Sequence, residues 1–493
     1  MISQADQAPS KRICVIGAGP AGLAALKYIS QTSYIKTGSW SIVAFESRSK
    51  VGGVWCVGST LSTSLTCVFK DLGRYPAPPT DDPPLTPLYD SLTTNLPHPV
   101  MGYTDYLFPP STPLFPTAAI VQTYLESYAS HFDLIPLIRF NVSVTRATWI
   151  DSHWRVTIST GKILEFDHLI VANGHYRRPM VPAIPGLDCW ITAKMASHSA
   201  WYRRPQGFGR KILVVGGGPS GQDIAKEMLD HGRTVIHSVT GSISRDEGDL
   251  KHRGKPLHFY DDGQVLFEQG IVEENIDHCI LATGFEMDFP FFDEDTIRIG
   301  DVPSHTCLPP DLYNSRHHVY PIAKYLFPLQ SHYPVTSVAF MTLLFKVAPF
   351  PVAEAQARAM VRAFADSTSL DLEQEANNIL SRSRALAAAG ASTSLQLAKV
   401  WFRLQEEEQW EYRDELFAYA AQSGECPATE VTPWEKEMYA NKNILRAAWV
   451  DLEKKNESQG WVEGVGKGGV QEWVEMMYRL LQHARNQLLS EGY

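Results

Sequence analysis

Arg12-Ile13-Cys14-Val15-Ile16-Gly17-Ala18-Gly19-Pro20-Ala21-Gly22 is the stretch from which the fold can be read. Its apolar run reads as a buried strand, its glycines as a tight turn, and Leu23–Ile29 behind it as a helix. Gly17 lets the chain turn sharply, Gly19 has no side chain to keep a phosphate away from the backbone, and Gly22 lets helix and strand pack closely. Amides at the helix start, around Pro20 and Ala21, then bind a pyrophosphate. The second strand of the unit, Ser41–Phe45, ends at Glu46. A carboxylate there accepts hydrogen bonds from both ribose hydroxyls and repels a 2′-phosphate, which suits FAD or NAD rather than NADP.

About 200 residues further on the design repeats. Lys211–Gly216, KILVVG, is followed by Gly216-Gly217-Gly218-Pro219-Ser220-Gly221 and a helical stretch, Gln222–Leu229. The separation is too long for one mononucleotide-binding unit, so the chain carries two dinucleotide-binding domains. In the second, the strand Thr234–His237 leads into Ser238, Val239 and Thr240, with no carboxylate at the position of Glu46. A hydroxyl tolerates a 2′-phosphate and Arg245 lies near enough in sequence to pair with it, which points to NADPH; Arg233, Lys251 and Arg253 compete for that role.

Composition narrows the class. The net charge of −10 argues against a nucleic-acid partner held through phosphates. No signal peptide is read at the N-terminus, and the longest apolar run, Val335–Phe350, is broken by Lys346 and too short to span a bilayer. Seven scattered cysteines without a C-x-x-C pair fit reduced thiols in a cytoplasmic protein and no metal site. Tyr75–Pro87 is a proline-rich loop, Gln405–Glu415 reads as a solvated helix face, and the pattern beyond Ala353 is helical. The expected architecture is α/β: two Rossmann-like dinucleotide-binding domains, for FAD and NADPH, the second inserted in the first, with a helical C-terminal extension. The expected divisions are 1–188, 189–325 and 326–493.

Flavin follows from Val51-Gly52-Gly53-Val54-Trp55, because an acid followed by such a Gly-Gly turn is what FAD proteins with an N-terminal Rossmann unit show. Further motifs follow in order: Thr94-Asn95-Leu96-Pro97 with Met101, Val171–Tyr176, His198-Ser199-Ala200-Trp201-Tyr202-Arg203, Ala282-Thr283-Gly284-Phe285, and Pro349-Phe350-Pro351 with Glu354-Ala355-Gln356. With these the sequence resembles the flavin-containing monooxygenases, class B flavoprotein monooxygenases of the yeast and fungal type, from about Ile13 to Gln356. Thr192 and Lys194 depart from the family fingerprint, in which Phe and Gly are usual there. Tyr202 stands where the related Baeyer–Villiger enzymes carry Trp, which favours heteroatom oxidation.

The resemblance implies that NADPH reduces FAD and that reduced flavin adds dioxygen at C(4a). The resulting hydroperoxide is protected by bound NADP⁺ and attacked by a soft nitrogen or sulfur of a small molecule. It implies FAD contacts at Gly17, Gly19, Pro20, Ala21, Gly22, Glu46, Gly53, Val54 and Trp55. It implies NADPH contacts at Gly216, Gly218, Pro219, Ser220, Gly221, Ser238, Arg245, Thr283 and Gly284, and a cofactor contact at Gln356. Asn95 would position oxygen or NADP⁺, its amide both donating and accepting, and His198 would support the linker. The competing readings are a flavin disulfide reductase, for which Cys56 has no close partner in sequence, a Baeyer–Villiger monooxygenase, an NADPH oxidase releasing hydrogen peroxide, and a non-catalytic NADP(H)-binding scaffold. Dimerisation and a lid are the two roles open to the C-terminal extension.

Overall fold

The structure, a computed structural model, describes residues 9–56 and 86–490. Cys67 and most of the proline-rich Tyr75–Pro87 stretch lie outside the described residues. The chain divides into two compact units; among described residues the first comprises 9–56, 93–174 and 287–490, and the second 86–92 and 175–286.

The first unit is built on five parallel strands in the order Val338–Phe340, His168–Val171, Lys11–Ile16, Trp40–Glu46, Ile138–Phe140. Ile13, Cys14, Val15, Leu169 and Ile170 are all fully buried, as expected of parallel strands covered on both faces. The helix Pro20–Ser30 packs against the helix Pro349–Ala365. Both are buried almost all round, and Ala24 and Ala25 on one with Ala353, Ala355, Ala357 and Ala359 on the other are small enough for close approach. An antiparallel meander, Val144–Ile150, His153–Ile158 and Ile163–Phe166, adds a small sheet. Its first hairpin turns on Asp151 and Ser152, both at positive φ, the mirror-image turn that matches strand twist.

In the second unit the order is Arg245–Glu247, Leu250–Arg253, Thr234–Ser238, Lys211–Val215, His278–Leu281, Ala196–His198, parallel except for the Arg245–Glu247 edge. Strand alternation sorts its core. Ile212 and Val214 pack with Ile224 and Met228 of the helix Pro219–Asp230. Leu213 and Val215 pack on the other side with Trp190, Phe259 and Phe267.

The dividing lines fall at 174/175 and 286/287 rather than at 188/189 and 325/326. Residues before 189 already belong to the second unit: Arg178–Pro179 pairs with Phe285–Glu286, and Leu187 enters the core with Trp190. Residues from 287 onward belong to the first, where the Ala147 amide donates to the Phe291 carbonyl at 2.7 Å and Phe289 packs edge-on to Phe340. The C-terminal region is helical as expected, running through Leu372–Ala388, Glu406–Ala421, Pro433–Ala440, Lys442–Lys454 and Val470–Ser490 with shorter helices between. Among the described residues no helix is long and apolar enough to cross a membrane.

Candidate functional site

Both glycine loops stand at the carboxyl ends of parallel strands, where open α/β sheets take ligands. In the first, the chain turns at Gly17, φ +100°, with its amide on the Phe45 carbonyl at 2.9 Å. A methyl group on Gly17 would lie 2.6 Å from the Ala172 carbonyl oxygen, and one on Gly22 would lie 2.0 Å from that of Gly17. Gly19 faces Gly53 of the second glycine pair so closely that a Cβ on Gly53 would reach within 2.9 Å of the Gly19 Cα. The VGGVW turn therefore lies directly against the first loop.

Glu46 fastens the two together. It is buried, and its carboxylate accepts from the Ala18 amide at 2.8 Å and from the Arg48 amide at 2.9 Å. Arg48 in turn donates to the Gly53 carbonyl, a link that no motif announces. Trp55 is half-buried against the core. The helix Pro20–Ser30 begins with no side-chain cap and no acidic residue in its first turn. Its first amides are thus left for an external anion, the fit that a dinucleotide pyrophosphate requires.

The second loop repeats this geometry. Gly216 turns at φ +129°, and a Cβ on Gly221 would lie 2.1 Å from the Gly216 carbonyl oxygen. Gly218, Pro219 and Ser220 are exposed, with nothing within 4 Å of a Cβ placed on Gly218. The helix behind it, Pro219–Asp230, again lacks a side-chain cap and an acidic first turn. His237, which sequence reasoning missed, donates its Nε2–H to the Gly216 carbonyl at 2.9 Å.

The four basic candidates for a 2′-phosphate separate cleanly. Arg233 precedes the strand Thr234–Ser238 and so lies at the opposite end of the sheet from the loop. Arg253 is buried between Asp246, at 2.6 Å, and Glu273. Lys251 sits 3.2 Å from the same Glu273. Arg245 is exposed, held by Glu247 at 2.5 Å beside His252. Ser238, expected to face the ribose phosphate, is instead buried with its hydroxyl donating to the Gly254 carbonyl at 2.7 Å. Thr240 is the exposed hydroxyl of that strand end.

At the end of the strand His278–Leu281, Thr283 donates to the Met180 carbonyl at 2.5 Å. Gly284 turns at φ +85° and its carbonyl accepts from the Met180 amide and from His198 Nε2, both at 2.9 Å. His198 Nδ1 accepts from the Ala200 amide at 3.1 Å. This fixes a neutral tautomer, and burial holds the ring down to about pKa 4, so His198 is a fastening rather than a proton carrier. Tyr202 donates to Glu227 of the helix Pro219–Asp230 at 2.6 Å.

Asn95 is exposed, and its side chain makes no hydrogen bond to the described residues. The backbone around it is locked: the Thr94 hydroxyl donates to the Leu96 carbonyl at 2.8 Å and the Thr94 amide to Pro116 at 3.0 Å. Gln356 is wholly buried. Its Oε1 accepts from the Thr342 amide at 2.8 Å and its Nε2 donates to the Tyr412 hydroxyl at 2.8 Å. Both ends of this amide bind protein, so it braces the loop after the strand Val338–Phe340, where a cofactor contact had been expected. Cys56, next to the glycine turn, is a free thiol whose pKa burial pushes up.

The sequence profile of the flavin-binding monooxygenase-like family matches residues 80–248 and 247–399. The thiol-specific monooxygenase of Saccharomyces cerevisiae is 30% identical over 399 residues, 74% of this chain and 80% of that protein. The flavin-containing monooxygenase FMO GS-OX-like 2 of Arabidopsis thaliana is 29% identical over 400 residues, 76% of this chain and 78% of that protein. Among solved structures, S-allyl-L-cysteine S-oxygenase from Allium sativum superposes with a TM-score of 0.70 over 97% of this chain and 99% of that one, at 22% identity, which establishes the shared fold. The chain belongs to the flavin-binding monooxygenase-like family. It is an FAD- and NADPH-dependent monooxygenase of the kind that oxygenates nitrogen or sulfur.

Proposed function

We propose that the chain oxygenates the sulfur of a small thiol or thioether, in the cytoplasm, where its scattered cysteines stay reduced. The observation that carries the choice of sulfur is the alignment with a thiol-specific monooxygenase along four-fifths of that protein's length. FAD, when bound, would supply the two-electron redox chemistry that links NADPH oxidation to the transfer of one oxygen atom of dioxygen to sulfur, the other leaving as water.

The chain's own residues bind, orient and keep apart. The free amides behind Gly19 hold the FAD pyrophosphate, and those behind Gly218 hold that of NADPH. Glu46, anchored by two backbone amides, keeps a negative charge at the first ribose site, so a 2′-phosphate is refused there. Arg245 offers the second site its positive charge. Asn95, whose amide binds none of the described residues, would hold oxygen or NADP⁺ through one donor and one acceptor.

Two measurements test this reading. Yellow protein incubated with NADPH and a thiol or thioether should consume one NADPH per oxygenated sulfur. A preference for tertiary amines or cyclic ketones, or NADPH consumption balanced only by peroxide, would sink the sulfur assignment. Separately, Arg245→Ala should raise KM for NADPH by about tenfold while leaving KM for NADH unchanged, the loss of one charge-assisted contact. An equal rise for both coenzymes would move the phosphate contact elsewhere.

A further inference from the structure

The matched family residues end at 399, yet the last helix, Val470–Ser490, packs on the short helix His98–Met101 that follows Asn95. Three contacts make the joint. The indole of Trp473 lies 4.3 Å from the His98 ring, edge to face at 83°. The Ser111 amide donates to the Val465 carbonyl at 3.0 Å, and the Ser111 hydroxyl accepts from the Gly464 amide at 2.9 Å. Gly466 lies against the indole so tightly that a Cβ there would be 2.4 Å from Trp473 Nε1.

Trp473 and His98 are both buried, and among the described residues neither Trp473 Nε1 nor His98 Nε2 has a hydrogen-bond partner. The other ring nitrogen of His98 is taken by the Thr112 backbone. What the contact secures is the backbone entering and leaving the Asn95 turn. The His98 amide donates to the Leu114 carbonyl at 2.9 Å, and Thr94 is pinned to Pro116.

The geometry points to Trp473 and Ser111 as positioning residues of the oxygenation step, through which the C-terminal region holds the Asn95 turn in place. This rests on the role given to Asn95 above. Loosening the turn leaves hydride transfer from NADPH to the flavin intact and misplaces only the group that governs what becomes of the oxygen, so coupling suffers while reduction does not.

The test uses flavin-loaded full-length protein with a thiol substrate. Trp473→Ala and Gly466→Ala should each raise peroxide released per NADPH consumed about tenfold, with anaerobic flavin reduction within about twofold of the parent. Trp473→Phe, which keeps a ring against His98, should restore coupling. Ser111→Ala should shift coupling in the same direction by a smaller factor. Asn95→Ala is measured beside them, and the Asn95→Ala/Trp473→Ala double variant should be no worse than Asn95→Ala alone. If Asn95→Ala uncouples and the other variants do not, the inference is overturned while the reading of Asn95 stands. If Asn95→Ala stays coupled, it is that reading which fails. Should Trp473→Ala not fold, normal coupling in Gly466→Ala and Ser111→Ala overturns the inference equally.

Discussion

Gly22→Ala is expected to yield colourless protein. The added methyl would sit 2.0 Å from the Gly17 carbonyl oxygen, far inside contact distance, and the obstacle is backbone rather than a side chain able to swing away. Gly17 cannot yield, because its amide is bonded to Phe45 and its Cα side faces the Ala172 carbonyl. The helix Pro20–Ser30 must therefore lift from the strand Lys11–Ile16, carrying its free amides away from the pyrophosphate. A strain of about 3 kcal/mol directed at the site weakens flavin binding by about 100-fold. Visible absorbance per protein after purification reads the result. Gly221→Ala, with the same 2.0–2.1 Å clash in the second loop, is the control: that protein should remain yellow and lose its response to NADPH. A Gly22→Ala protein that keeps a full complement of flavin would remove the first loop from the cofactor site.

Acid should unfold this protein early. His98 and His318 are held down to about pKa 3, and His168, His175, His198 and His278 to about 4, in each case chiefly by burial. The ordinary value is about 6.5, so the unfolded chain binds protons that the native state refuses. Stability is whole above about pH 6.5 and falls as pH drops toward 4. At pH 5 the protons that the unfolded chain takes up on even two of these rings lower stability by about 4 kcal/mol, against a total stability of roughly 5–15 kcal/mol. One group opposes them. Glu354, fully buried with its carboxyl raised to about 7 by burial and by Asp105, loses stability as pH rises between its ordinary value and 7, but it is one carboxyl against six imidazoles. Tryptophan fluorescence or near-ultraviolet dichroism followed downward in pH should show a cooperative loss beginning below about pH 6. A tertiary signal unchanged to about pH 4 would contradict the burial of these rings.

What could be read from sequence was local and periodic. The two glycine loops announce themselves because strand, turn and helix are consecutive, and Glu46 lies one short crossover away. The partners of a side chain were not legible when they lie outside its own strand, turn or helix. Ser238 looked free beside Arg245, but the Gly254 carbonyl takes its hydroxyl. Gln356 resembled a cofactor contact, but Thr342 and Tyr412 use it. Gln405–Glu415 reads as a solvated face from its charges, yet Gln409, Trp410 and Arg413 on that stretch are buried, Arg413 against Glu435 at 2.9 Å. A buried ion pair looks, in one dimension, the same as two surface charges. The unit boundaries were misplaced for the same reason, since Arg178–Pro179 finds its strand partner only at Phe285–Glu286.

The strand order of the first sheet has a consequence for how the protein is made. Its edge strand, Val338–Phe340, is translated long after the four others, whereas every strand of the second unit's main sheet lies within 196–281. Local pairings close quickly and distant ones wait. As the chain leaves the ribosome, the inserted unit has all its parts while the unit that begins the chain is still short of an edge and of the helix Pro349–Ala365. The main sheet of the inserted unit can therefore close before that of the unit that begins the chain.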